Sequence, residues 1–193
     1  MKGKYLITKL LPGVVVFIFA FLIPNLVRAH CDTMDGPVVR AAQKALQTKN
    51  VNLVLIWVQE KDEAVIKQAF RQTLAVRSLN REAQDLADRY FFETLVRLHR
   101  AGEGEPFTGI EPAGTDVGPV IRGADEALKN SAIEPLLRLF PDAAMAEIRL
   151  RFKDVIAKKG YHENDVAAGR EYVKAYVSFL HYLEHLHAEK AHK

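Results

Sequence analysis

The chain has 193 residues, of which 49% are hydrophobic and 26% charged. That is enough for one domain with a real core, and it excludes a disulfide-stapled miniprotein, a disordered chain and a low-complexity fibre. Its net charge of +3 comes from the start of the chain: Lys2, Lys4, Lys9 and Arg28 lie in the first 29 positions, which hold no acid, and removing these four from the 27 basic residues leaves 23 against 24 acidic ones. Nothing in the remainder points to nucleic acid.

The opening segment has the parts of an export signal: a basic start, an apolar run from Leu10 to Ile23, then Pro24 and the triplet Val27-Arg28-Ala29. The run is 14 residues long and contains Pro12 and Gly13, whereas a bilayer span takes about 20 apolar residues. Cleavage after Ala29, a secreted or periplasmic product and no stable membrane insertion after processing are therefore expected.

A cut there leaves a mature chain beginning His30-Cys31-Asp32, with the only cysteine at mature position two. No intramolecular disulfide is open to it. The new α-amine, the His30 imidazole, the Cys31 thiol and the intervening amide are close enough along the chain to chelate one transition metal ion, and soft sulfur with borderline nitrogen suits nickel, copper or zinc. The alternatives are an intermolecular disulfide and a buried, inert thiol.

From His30 the sequence runs His-Cys-Asp-Thr-Met-Asp-Gly-Pro, which resembles the amino-terminal hook of nickel superoxide dismutase, an exported four-helix-bundle enzyme. That family carries a second cysteine at mature position six, where this chain has Asp35. Replacing a thiolate by a carboxylate removes a soft donor, so the resemblance implies a metal site here more strongly than it implies dismutation. A longer resemblance is to an uncharacterised family of exported bacterial helical proteins. It rests on the same start, on Leu-Ala-Asp-Arg-Tyr-Phe-Phe-Glu-Thr-Leu-Val-Arg (86–97), on His-Arg-Ala-Gly-Glu-Gly-Glu-Pro-Phe-Thr-Gly (99–109) and on Gly-Arg-Glu-Tyr-Val (169–173).

After the hook, Gly36-Pro37 starts a helix predicted to reach Thr48, because proline is pre-set for a first turn. Leu53 to Val58 is β-branched enough for a strand, but no partner strand appears, and a short helix from Asn52 to about Gln59 is expected. Helical spacing resumes from Lys61 to Arg77. Asn80 is a natural cap for a helix reaching Ala101, with Ala83, Leu86, Ala87, Tyr90, Leu95 and Leu98 as its apolar face and Arg89, Glu93 and Arg97 as a solvated ladder opposite. Residues 102–119 hold five glycines and three prolines and read as a long loop of the kind that is more often functional than idle. Helices over Pro119–Asn130, Ile133–Phe140 and Asp142–Lys158 follow, and a last helix opens near Asn164 or Asp165.

Four of the seven histidines, His181, His185, His187 and His192, fall in the last 13 residues. His181-Tyr-Leu-Glu184-His185 matches an H-x-x-E-H zinc-peptidase pattern. At 100° per residue, however, Tyr172, Val173, Tyr176, Val177, Phe179, Leu180, Leu183 and Leu186 form the apolar arc and His181 and His185 lie opposite it, looking outward. His187 projects within the arc. The arc is wider than one neighbouring helix covers, which suggests a second copy or a protein partner on this helix. His99 shares a stripe with Phe92 and Val96, and Glu103 follows one turn later, so an imidazole and a carboxylate can meet where the helix enters the loop.

The expected protein is a single all-α domain over residues 30–193, a bundle of about six helices. Its leading functional reading is transition-metal binding by His30 and Cys31, with Asp32 or Asp35 nearby and His99 or Glu103 as supplements from the bundle. The competing readings are a helical binding or assembly module without catalysis and a metal-dependent oxidoreductase.

Overall fold

A computed structural model describes residues 30–191; the expected export signal (1–29) and His192 lie outside them. The described chain is all-α. A 3-10 turn, His30–Asp32, leads into α1 (Pro37–Thr48), α2 (Asn52–Leu55), α3 (Glu63–Val76), α4 (Arg81–Glu103), α5 (Gly118–Asn130), α6 (Glu134–Leu137), α7 (Asp142–Lys158) and α8 (Val166–Ala191). No helix among the described residues is long and apolar enough to cross a membrane.

The boundaries follow local chemistry. Pro37 sits in the first turn of α1, and the Asn80 side chain accepts the Ala83 backbone N–H at 2.7 Å to cap α4. α4 continues two residues beyond the expected Ala101 and ends at Gly104, whose φ of 79° is left-handed and costs glycine little. Gly102 lies within the last turn, and its carbonyl accepts from Gln59 Nε2 at 3.1 Å. α5 begins at Gly118 with Pro119 in its first turn, so the loop proper is 104–117.

Two halves make the bundle. α1 packs on α2 and α4, and α3 on α4; in the second half α8 packs on α7 and α5, and α5 on α6 and α7. Phe70 and Phe91 meet in the first half with ring centroids 5.5 Å apart, Phe152 and Phe179 in the second at 6.1 Å. The segment Leu53–Val58, wholly buried, lies between the halves. Its helix is shorter than expected, stopping at Leu55, and this frees buried carbonyls that need partners. Trp57 O pairs with His99 Nδ1 at 2.9 Å. Val58 O accepts from Arg170 Nε at 3.1 Å, and the same guanidinium reaches Glu63 Oε1 at 2.6 Å, tying α8 to α3.

Two helical faces differ from their expected orientation. On α4, Leu86 is 71% exposed and Tyr90 is also exposed, while Phe91 and Phe92 are buried. α3 and α1 flank this helix, and the side that carries Leu86 and Tyr90 is left uncovered. Arg89, Glu93 and Arg97 are exposed as expected. On α8, Val173, Ala175, Tyr176, Phe179, Leu180 and Leu183 are all buried, because α7, α5 and α2 share the arc between them. The width of the arc therefore reflects three neighbours within the chain and no longer argues for an external one. His187 is exposed rather than part of the arc, since it lies near the end of α8 beyond its buried residues.

Candidate functional site

The hook is folded into the seam between the two halves. Thr33 Oγ1 donates back to the His30 carbonyl at 3.3 Å, and Gly36 N–H to the Thr33 carbonyl at 2.9 Å. A Cβ on Gly36 would stand 2.2 Å from the His30 carbonyl oxygen, so this turn needs a residue without a side chain. The long loop clamps the hook from outside: Met34 N–H donates to Glu111 O and Glu111 N–H to Asp32 O, each at 2.9 Å, in a parallel bridge of Thr33 with Glu111.

Sequence-selected residues converge in the seam. Cys31 is 6% exposed and belongs to the core cluster. Burial pushes its thiol well above the usual range, and Glu103 and Asp32 add to this while Arg100 opposes it. Asp32 is buried, and its carboxyl is pushed up to about 6, chiefly by burial, with Arg100 pulling the other way. Arg100, 4% exposed, faces three carboxylates: its Nε lies 3.5 Å from Asp32 Oδ2, Nη1 3.2 Å from Glu103 Oε2 and Nη2 3.7 Å from Glu105 Oε2. Asp35 is turned elsewhere. It is exposed, accepts the Gly114 N–H at 3.0 Å, and is held below the usual carboxyl range by that bond.

Both imidazoles are anchored through one nitrogen and bare at the other. His30 Nε2 lies 2.6 Å from Asp125 Oδ2 on α5, while its buried Nδ1 has no hydrogen-bond partner. His99 is 3% exposed. Burial lowers its pKa, with Glu103 opposing. A carbonyl can only accept, so Nδ1 carries the hydrogen given to Trp57 O and the lone pair of the neutral ring sits on Nε2. That Nε2 lies 3.3 Å from Glu103 Oε1 but makes no hydrogen bond. A ring fixed through one nitrogen and offering the other is how proteins orient histidine toward a metal.

Cys31, His30, Arg100, Glu103, His181 and Glu184 line a cavity of about 20 Å³, space for one water-sized occupant. His30 also borders a groove of about 490 Å³ that includes Arg40, Trp57, Asp125 and Tyr176, so the imidazole stands between the cavity and the outside. Among the described residues, no three His, Cys, Asp or Glu side chains stand together as a ready-made metal centre. The residues that local spacing did not reveal are Arg100, Asp125, Tyr176 and Glu184. Tyr176 donates its hydroxyl to Asp125 Oδ1 at 3.2 Å, and burial raises Glu184. Only Glu184 had a signal, its place beside His185 in the H-x-x-E-H pattern, and the exposure of His181 and His185 leaves that pattern without the enclosed zinc pocket a peptidase needs.

No curated protein and no solved structure matches the chain. The chain belongs to a family of unknown function, DUF6448, which it matches over residues 35–182. The matched span includes His99, Arg100, Glu103, Asp125 and Tyr176, and starts four residues after Cys31.

Proposed function

We propose that the processed protein binds one transition-metal ion, nickel, copper or zinc, at its amino terminus. Cys31 supplies the thiolate and His30 the α-amine and imidazole, while Glu103 and His99 stand ready from the end of α4. The observation that carries this reading is the setting of Cys31: the chain's only thiol is buried on an ion-sized cavity that it lines together with Glu103 and with His30, whose buried Nδ1 has no hydrogen-bond partner. The surrounding charge agrees with it. Carboxylates that disfavour a bare thiolate would favour a cation bound to it, because the metal replaces the thiol proton and offsets their repulsion. A ligand set drawn partly from the backbone amine needs fewer side chains than a finished side-chain centre, and it is made only by cleavage after Ala29, as export to the periplasm or the medium would provide.

Intact-mass measurement of the exported protein is expected to give a chain beginning at His30. Titration of that tag-free protein with nickel, copper and zinc should then show one ion per chain. Adding one residue before His30 converts the amine to an amide, and Cys31→Ser removes the sulfur; each should weaken binding by at least about tenfold. Asp125→Asn, which loosens the His30 ring, should cost roughly 10–100-fold. Changing His185 and His187 together to alanine should leave affinity unchanged, since both are exposed. Equal affinity in the extended and native chains would eliminate the hook as the site. With Asp35 where a second thiolate would stand, the nickel-loaded protein should dismutate superoxide weakly or not at all, and robust nickel-dependent activity would contradict this.

A further inference from the structure

The chain's only tryptophan and three of its tyrosines stand in one file that runs from the surface to the hook. Tyr161, partly buried, lies 5.4 Å from Tyr172 between ring centroids. Tyr172 stacks on Tyr176 at 6.2 Å with 21° between planes. Tyr176 meets the edge of Trp57 at 6.2 Å, and Trp57 meets His99 at 5.6 Å. Both inner rings, Tyr176 and Trp57, are buried, and Tyr176 reaches the hook through its hydrogen bond to Asp125, the carboxylate that holds His30. The remaining described tyrosines stand apart: Tyr90 is exposed on α4, and Tyr182 lies under the Arg151 guanidinium.

Indole and phenol are, after thiols, the side chains most readily oxidised by one electron. We infer that this file carries oxidising equivalents, one electron at a time, from the buried hook to the surface. The inference rests on the metal reading only for its natural oxidant, a hook-bound nickel or copper ion in its oxidised form, since zinc has no redox change to offer.

The proton positions give the path a direction. Trp57 donates an electron to the oxidant and becomes a radical cation. Its Nε1–H is buried and has no acceptor, so the proton stays and the cation remains a strong oxidant. Tyr176 then supplies an electron to Trp57 and passes its phenolic proton along the 3.2 Å hydrogen bond to Asp125. Neutral tryptophan, a neutral tyrosyl radical and a protonated carboxyl result, so electron and proton are both accounted for. Tyr172 next reduces the Tyr176 radical, Asp125 returns the proton to the Tyr176 oxygen, and Tyr172 releases its own proton to water. Tyr161 repeats the step, and a one-electron donor in solution, such as ascorbate or a thiol, restores it.

Flash photo-ionisation of Trp57 in the metal-free full chain tests this without the metal. Excitation at the red edge of the indole band avoids tyrosine, and nitrous oxide with tert-butanol removes the ejected electron and the hydroxyl radical that nitrous oxide forms from it. The tryptophan radical should decay by a first-order process independent of protein concentration, with a matching rise of tyrosyl absorption. Tyr176→Phe keeps the ring and its packing and should slow that decay roughly tenfold or more; Asp125→Asn keeps the phenol but removes the proton acceptor and should slow it as well. Tyr172→Phe should leave the first step unchanged and slow repair of the tyrosyl radical by ascorbate to a similar degree. Tyr90→Phe and Tyr182→Phe should change nothing. A native decay no faster than that of Tyr176→Phe, or loss of the tyrosyl signal in Tyr90→Phe or Tyr182→Phe, would overturn the path. Either result leaves the metal titration to be judged on its own, and a chain that binds no metal can still show the transfer.

Discussion

Phe91 and Arg100 lie on the same helix, two and a half turns apart, and are both buried, yet what keeps them there differs. Phe91 packs on Phe70 within the apolar first half, where removing hydrocarbon from water suffices. Arg100 sits among Asp32, Glu103 and Glu105, where each charge pays for desolvation and is retained by its partners. A protein that needed only a stable core would end α4 as it fills the middle. The polar end is instead where the hook, the long loop and α8 meet, and a dense set of buried ionisable groups in a seam marks a functional region better than it explains stability.

The contrast sets the order of expected effects. Phe91→Ala empties a fully buried ring site and should cost roughly 3–5 kcal/mol in chemical denaturation, whether or not the hook is present. Arg100→Met should cost about 3 kcal/mol, because Asp32 and Glu103 lose their counter-charge; adding Asp32→Asn should recover part of that loss, whereas no polar change elsewhere rescues Phe91→Ala. If the double variant were no more stable than Arg100→Met alone, charge would not be what Arg100 supplies. Gly36→Ala drives a Cβ into the His30 carbonyl and should cost about 1–3 kcal/mol, with a loss of metal affinity at least as large in proportion. Asn80→Ala removes the α4 cap at the far end and should cost about 1 kcal/mol, leaving metal affinity untouched. These last two separate the regions, since a shared effect on metal binding would mean the hook responds to stability at large.

The same contrast explains what could be read in advance. α1 and α7 begin and end where proline and periodicity place them, the Asn80 cap forms, and the His99–Glu103 pair meets one turn apart, because all of these depend on neighbours in sequence. The buried face of α4 did not follow from its own spacing: Leu86 and Tyr90 are as apolar as Phe91 and Phe92, and only the positions of α1 and α3 decide between them. The width of the α8 arc carried no hint that three elements of the same chain cover it. Asp125 and Tyr176 act through partners far along the chain, as Arg100 does through Asp32 besides its neighbours Glu103 and Glu105, and an isolated arginine, aspartate or tyrosine on a helix looks the same whether it faces solvent or a buried carboxylate. The hook residues were recognisable for their donor chemistry; the bridge between Thr33 and Glu111 that clamps them was not.

Whether Cys31 binds metal is read most directly by X-ray absorption of the processed, zinc-loaded protein. The account predicts a sulfur neighbour at about 2.3 Å beside nitrogen or oxygen at about 2.0–2.1 Å, with the sulfur lost in Cys31→Ser. A first shell of nitrogen and oxygen alone, unchanged by Cys31→Ser, would contradict it and move the metal away from the hook.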